Sequence, residues 1–141
     1  MSEAAFLALG ETLTKLLTTG DFALYRTVFR LPLTTAPRNG TPYTLHTEAE
    51  LEADFALYRT AIIASGITDI VRRVRKLVYP DDHHMVVDCE MNILRRAERV
   101  VQPFMARFHL VQDAQDCRIH RIESALGHIR WTLGEGSLDD I

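Results

Sequence analysis

The sequence predicts an α+β domain, and three observations carry that reading. The first half places apolar residues at helical spacing, while the block from Met85 to Ser124 alternates apolar and polar residues with a period of two. No linker or low-complexity stretch separates the two halves. In the alternating block Met85, Val87, Cys89, Met91 and Ile93 form one strand face, and Val86, Asp88, Glu90, Asn92 and Leu94 form the other. The next strand sets Val100, Phe104, Ala106, Phe108 and Leu110 against Met105, Arg107 and His109. Such alternation means an antiparallel sheet with one apolar face and one polar face. The helices that precede it must cover the apolar face.

The first helix is predicted from about Ala4 to Thr18, with Phe6, Leu9, Leu13, Leu16 and Leu17 on one side and Gly20 as its stop. Asp21 caps a short second helix bearing Phe22, Tyr25, Val28 and Phe29, which Pro32 ends. Leu31 to Leu45 reads as a hairpin around Asn39-Gly40, and Pro37 and Pro42 place its strands at a sheet edge. Thr47 and Glu50 make a capping box for the third helix, Gly66 closes it, and Leu51, Phe55, Tyr58 and Ile62 form its buried stripe. Strands follow at about 68–79, 84–95, 99–111 and 117–126. The heptamer DFALYRT occurs twice, at Asp21–Thr27 and Asp54–Thr60, but the flanks do not match, so it is no repeat architecture. It does put Phe22/Tyr25 and Phe55/Tyr58 at one spacing on helices facing a common core.

A two-residue turn at Ala97-Glu98 would set Arg96 opposite Arg99, Leu94 opposite Val101, Met91 opposite Phe104, Cys89 opposite Ala106 and Val87 opposite Phe108. On the polar face the same register sets Asp88 opposite Arg107. A turn at Ala114-Gln115 pairs Leu110 with Ile119 and Phe108 with Arg121, which would send Arg121 and Glu123 to the apolar side. Charge there is costly unless paired or solvated. Three arrangements stay open: a bulge that turns Ile122 and Leu126 inward, an ion pair with helix residues, or a pair lining a pocket.

Length and composition bound the function. A chain of 141 residues is one domain, read as 1–133, with a loose polar tail over 134–141. A net charge of −3 and a pI near 6.0 argue against nucleic acid as a partner. No apolar run approaches the roughly 20 residues of a membrane helix, so no membrane partner is expected. The acidic start MSEAAFLALGE does not read as a signal peptide, and a cytoplasmic location follows. Cys89 and Cys117 are expected to be free, because an intervening strand would hold them roughly 10 Å apart, beyond bridging distance.

The element order, with Gly20-Asp21-Phe22 through Phe29 in the second helix and Cys117-Arg118-Ile119 ending in Ser124 in the last strand, resembles the nuclear-transport-factor-2-like, or SnoaL-like, superfamily. The resemblance covers roughly residues 5 to 126. It implies a cone, with three helices on the concave face of a strongly curved sheet. It also implies a pocket that Tyr25, Phe29, Phe55, Tyr58, Met91, Phe104, Phe108, Arg121 and Glu123 could face. The family's usual Trp on the last strand is Cys117 here, and its His beyond the Ile is Arg121. The isomerase or cyclase Asp–His chemistry is therefore not carried by matching positions.

Other clusters read more plainly. Asp81-Asp82-His83-His84 is a solvated turn, since neighbours entering a strand point to opposite sides and chelate badly. Arg72, Arg73, Arg75 and Lys76 read as a charged edge strand or, alternatively, an anion patch. Arg95, Arg96 and Arg99 crowd one hairpin tip, and Trp131 sits on a short final arm. No cofactor or metal is implied. Three functions follow: a dimer, associating through the polar sheet face, that binds a small apolar or weakly acidic molecule; a proton-transfer enzyme with Glu123 as base and Tyr25 or Tyr58 as hydrogen-bond donor; or a packing and dimerisation module without ligand.

Overall fold

The computed structural model describes residues 1–37, 40–114 and 116–125. Asn39 of the expected hairpin turn, Leu126, Trp131 and the 134–141 tail lie outside the described residues. Helix α1 (Glu3–Thr19) is followed by α2 (Phe22–Tyr25), a 3₁₀ turn (Arg26–Val28), strands β1 (Phe29–Pro37) and β2 (Tyr43–Leu45), and helix α3 (Glu48–Ser65). Then come β3 (Asp69–Asp81), β4 (His84–Arg95), β5 (Glu98–Arg99), β6 (Phe104–Asp113) and β7 (Asp116–Ala125).

The helices begin and end where local chemistry dictates. Ser2 accepts from the Ala5 amide at the start of α1, Asp21 from Leu24 at the start of α2, and Thr47 and Glu50 form the full capping box of α3. Gly20 and Gly66 take the left-handed conformation that ends α1 and α3, at φ +88° and +64°. The Arg59 guanidinium donates to the Leu17 and Thr18 carbonyls, at 2.7 and 2.8 Å, and so ties α3 to the end of α1. The two DFALYRT copies meet in the core: Phe55 lies 4.4 Å from Tyr25 and 5.6 Å from Phe22, centroid to centroid.

The seven strands form one sheet in the order β2-β1-β7-β6-β4-β3, with β5 on the end of β4. It is mixed rather than antiparallel throughout, because β1 runs parallel to β7. The chain between those two strands supplies the long connection that a parallel pair needs. β1 is thus an inner strand, and only β2 and β3 lie at the edges of this order, which corrects the edge placement inferred for β1 from Pro37. Pro32 likewise does not end a helix. It sits within β1, where the β1–β7 register slips between Phe29↔Ile119 and Thr34↔Arg121, so a missing amide is tolerated.

The central β4–β6 register is the expected one, with Met91↔Phe104, Cys89↔Ala106, Val87↔Phe108 and Asp88↔Arg107. The tip differs. Arg96 and Ala97 both take positive φ, +50° and +70°, so the turn is one residue earlier than expected. Leu94 then pairs with Arg99 instead of Val101, the Val100 amide still donates to the Ile93 carbonyl at 2.9 Å, and residues 100–103 lie outside the strands before β6 begins.

Cys89 is completely buried and Cys117 half-buried, and both are free. Burial pushes the Cys89 thiol up to about 12. In native protein at neutral pH a disulfide reagent should label Cys117 first, and Cys89 only after unfolding; equal native rates would contradict this packing.

Candidate functional site

The helices and the concave face of the sheet line a partly open cavity of about 80 Å³. That is several times the ~10–15 Å³ a single water needs. Leu13 and Leu17 come from α1, Ile70 from β3, Met91 from β4, Phe104, Ala106 and Phe108 from β6, and Ile122 from β7. Of the nine residues expected to face a pocket, Tyr25, Phe29, Tyr58, Met91, Phe104 and Phe108 line this cavity. Phe55 is not in its wall; it is buried behind Tyr25.

Arg121 and Glu123 lie on the opposite, convex face. β7 carries a bulge: Leu110 pairs with Ile119 as expected, but His109 pairs with Arg121, so His120 is an extra residue. Phe108 therefore meets Ile122 instead of Arg121, and Ile122 turns into the cavity. The two charges join an outer network. Arg107 Nε donates to Asp88 at 2.6 Å, Arg121 Nε donates to Glu123 at 2.9 Å, and His109 Nε2 lies 3.4 Å from Glu123. Partial burial raises the Glu123 carboxyl, but the bonds from Arg121 and His109 outweigh it and hold the group below the usual range. Glu123 is consequently no pocket base. Glu123→Gln should cost less than about 1 kcal/mol, as for partly exposed ion pairs, and a larger loss in urea unfolding would contradict the outward placement.

His120 stands beside His84 and His109 on this face, with ring centroids 5.9 and 6.1 Å away. Burial, with repulsion from His109, His84, Arg30 and Arg121, lowers its pKa below the ordinary 6.5. The folded chain then binds fewer protons than the unfolded one. This stability is present above the unfolded pKa and is lost as pH falls through it toward the folded value. The urea midpoint should fall between about pH 7 and pH 5, and His120→Gln should lessen the fall; an equal fall in the variant would contradict it.

Three further polar groups, outside the nine expected pocket residues, also line the cavity, one of them, Arg72, from the run read alternatively as an anion patch. Asp54 on α3, Thr35 on β1 and Arg72 on β3 join Tyr25 and Tyr58 in its lining. Asp54 is buried and accepts from the Tyr43 hydroxyl at 3.0 Å. Burial, with the nearby Asp54 charge, raises the phenols of Tyr25, Tyr43 and Tyr58, so all three stay protonated donors. Arg72 stands on the inner face of β3 opposite Met91. Its Nη1 donates to the Gly10 carbonyl and to Thr14 Oγ1, both at 2.8 Å, and its Nε is buried without a partner. Burial lowers the Arg72 pKa to about 10, which leaves the group charged at neutral pH.

Both positions had a signal. Asp54 falls on the stripe of Leu51, Phe55, Tyr58 and Ile62, three residues after Leu51. Arg72 has the parity of Ile70 and Val74, but three further cations in the same strand hid it. The Asp81–His84 turn is as expected: Asp81 accepts from the His83 amide at 2.7 Å and pairs with His84 Nδ1 at 2.9 Å. Among the described residues no cluster of three or more His, Cys, Asp or Glu could hold a metal, and no helix is long and apolar enough to cross a membrane.

No family model and no curated protein matches this chain. Solved structures do. A domain of unknown function with a cystatin-like fold from Nostoc punctiforme aligns with a TM-score of 0.63 at 11% identity, over 94% of this chain and 83% of that one. An NTF2-like protein of unknown function from Shewanella oneidensis aligns with a TM-score of 0.62 at 10% identity, over 85% of this chain and 93% of that one. An NTF2-like protein with a cystatin-like fold from Novosphingobium aromaticivorans gives a TM-score of 0.58 at 13% identity, over 84% and 77%. At these identities the likeness speaks for architecture alone. With three helices on one face of a curved mixed sheet, the chain has the nuclear-transport-factor-2-like, cystatin-like cone fold.

Proposed function

We propose that this chain is a cytoplasmic, dimeric protein that binds a small, largely apolar molecule in the cavity of its cone. The observation that carries the reading is the cavity itself: an apolar chamber into which a few polar groups, Arg72, Asp54, Thr35 and Tyr58, converge from different elements. Apolar walls with a few placed polar groups are the general form of a ligand site. Its size narrows the occupant. Sites for drug-sized ligands run to about 300–1,000 Å³, so about 80 Å³ favours a short-chain compound.

The methionines offer a direct test with n-butanol as probe. Met91 lines the cavity, whereas Met105 is exposed on the convex face. In protein labelled with ¹³C at the methionine methyls, n-butanol should shift Met91 saturably and leave Met105 unmoved. A Met91 signal unmoved by the probe would refute the reading.

The dimer reading rests on the uncovered convex face. Val71, Val78 and Met105 are exposed there among alternating charges such as Asp88, Arg107, Arg121 and Glu123, a pattern that a two-fold copy of itself can match. Light scattering should give twice the chain mass at micromolar concentration, and Met105→Glu with Arg107→Glu should halve it. A wild-type monomer would refute this. A second function, proton transfer, is favoured by one observation: the cavity holds a carboxylate, Asp54, among phenols. Asp54→Asn would then abolish turnover of a substrate while sparing its binding.

A further inference from the structure

We propose that Arg72 anchors the carboxylate of a short-chain organic acid in the cavity. This rests on the binding reading above and names the ligand class. Arg72 lines an apolar chamber, and among the described residues no carboxylate stands within ion-pairing distance of it. A cation so placed is costly unless an anion joins it. Asp54, the other charged residue of the lining, is engaged by Tyr43 instead.

Arg72 Nη1 is committed to Gly10 and Thr14, which fixes the guanidinium against α1. Nε, which belongs to the side-on edge that engages carboxylates, is buried and without a partner. Gly10 makes the room. A Cβ there would stand 3.1 Å from Arg72 Cδ and 3.4 Å from Nη1, so the helix carries a glycine in its interior where the guanidinium lies against it. A chamber of about 80 Å³ that already carries the Asp54 carboxylate in its lining has room for one small, singly charged head group, which favours a monocarboxylate over a phosphate dianion.

The test measures the affinities of butyrate, butyramide and n-butylamine by the Met91 methyl shift, in wild type, Arg72→Met and Gly10→Ala. Butyrate should bind wild type at least about ten-fold tighter than the isosteric butyramide, as expected for a charge-assisted bond. That preference should vanish in Arg72→Met and shrink in Gly10→Ala, where the guanidinium must shift. Equal binding of butyrate and butyramide by wild type would overturn the anchor and leave the cavity reading intact. Tightest binding of n-butylamine would overturn it in favour of the Asp54 pole. No shift with any probe would overturn both readings together. The wild-type comparison needs no variant, so a misfolded mutant does not blunt it.

Discussion

Phe55→Ala should destabilise the fold by about 3–5 kcal/mol, the range for emptying a buried phenylalanine site. Phe55 is only 6% exposed, and it joins the two copies of the heptamer by touching both Tyr25 and Phe22. Ring pairs in such geometry add to simple burial. The site cannot close easily, because Tyr25 is also held at 4.8 Å from Phe29. Phe55 backs the cavity without lining it, so the loss should appear in urea unfolding whether or not a ligand is bound. A loss below about 1 kcal/mol would mean that the aromatic cluster is not packed as described.

Arg72→Met should have the opposite sign. A methionine reaches only as far as the Arg72 Nε position, but it removes a half-buried cation that no carboxylate among the described residues pairs, whose desolvation costs on the order of several kcal/mol. The groups it abandons keep partners. Thr14 Oγ1 still donates to the Ile70 carbonyl at 3.4 Å, and the Gly10 carbonyl remains within α1. A gain of about 1–2 kcal/mol in urea unfolding is therefore expected, together with the loss of any preference for butyrate. A loss of more than about 1 kcal/mol would show that Arg72 is a structural clip between α1 and β3.

How much of this was legible beforehand follows from the range of each interaction. A two-residue turn at Ala97-Glu98 implies the Met91↔Phe104 register; the turn lies at Arg96-Ala97 instead, and the same pairing is reached because residues 100–103, outside the strands, take up the two-residue difference. The capping box at Thr47 and the stop at Gly66 are local chemistry and could be read directly. The parallel pairing of β1 with β7 joins segments about 90 residues apart and leaves no local trace. The bulge at His120 is one of the three arrangements left open by the two charges that an unbulged strand would turn inward; it exchanges Arg121 for Ile122 in the cavity and so moves the candidate site. Arg72 and Asp54 were concealed differently. Each is a polar residue at a position whose periodicity is apolar, and such a break in pattern is itself the mark of a site.

The account depends on a chamber in the cone that accepts a small acid. A crystal structure of the protein grown with butyrate tests it most directly. Butyrate density is expected between Arg72 and Phe104, with a carboxylate oxygen at hydrogen-bonding distance from Arg72 Nε. A cavity filled by side chains, or one left empty while butyrate is absent or bound elsewhere, would contradict it.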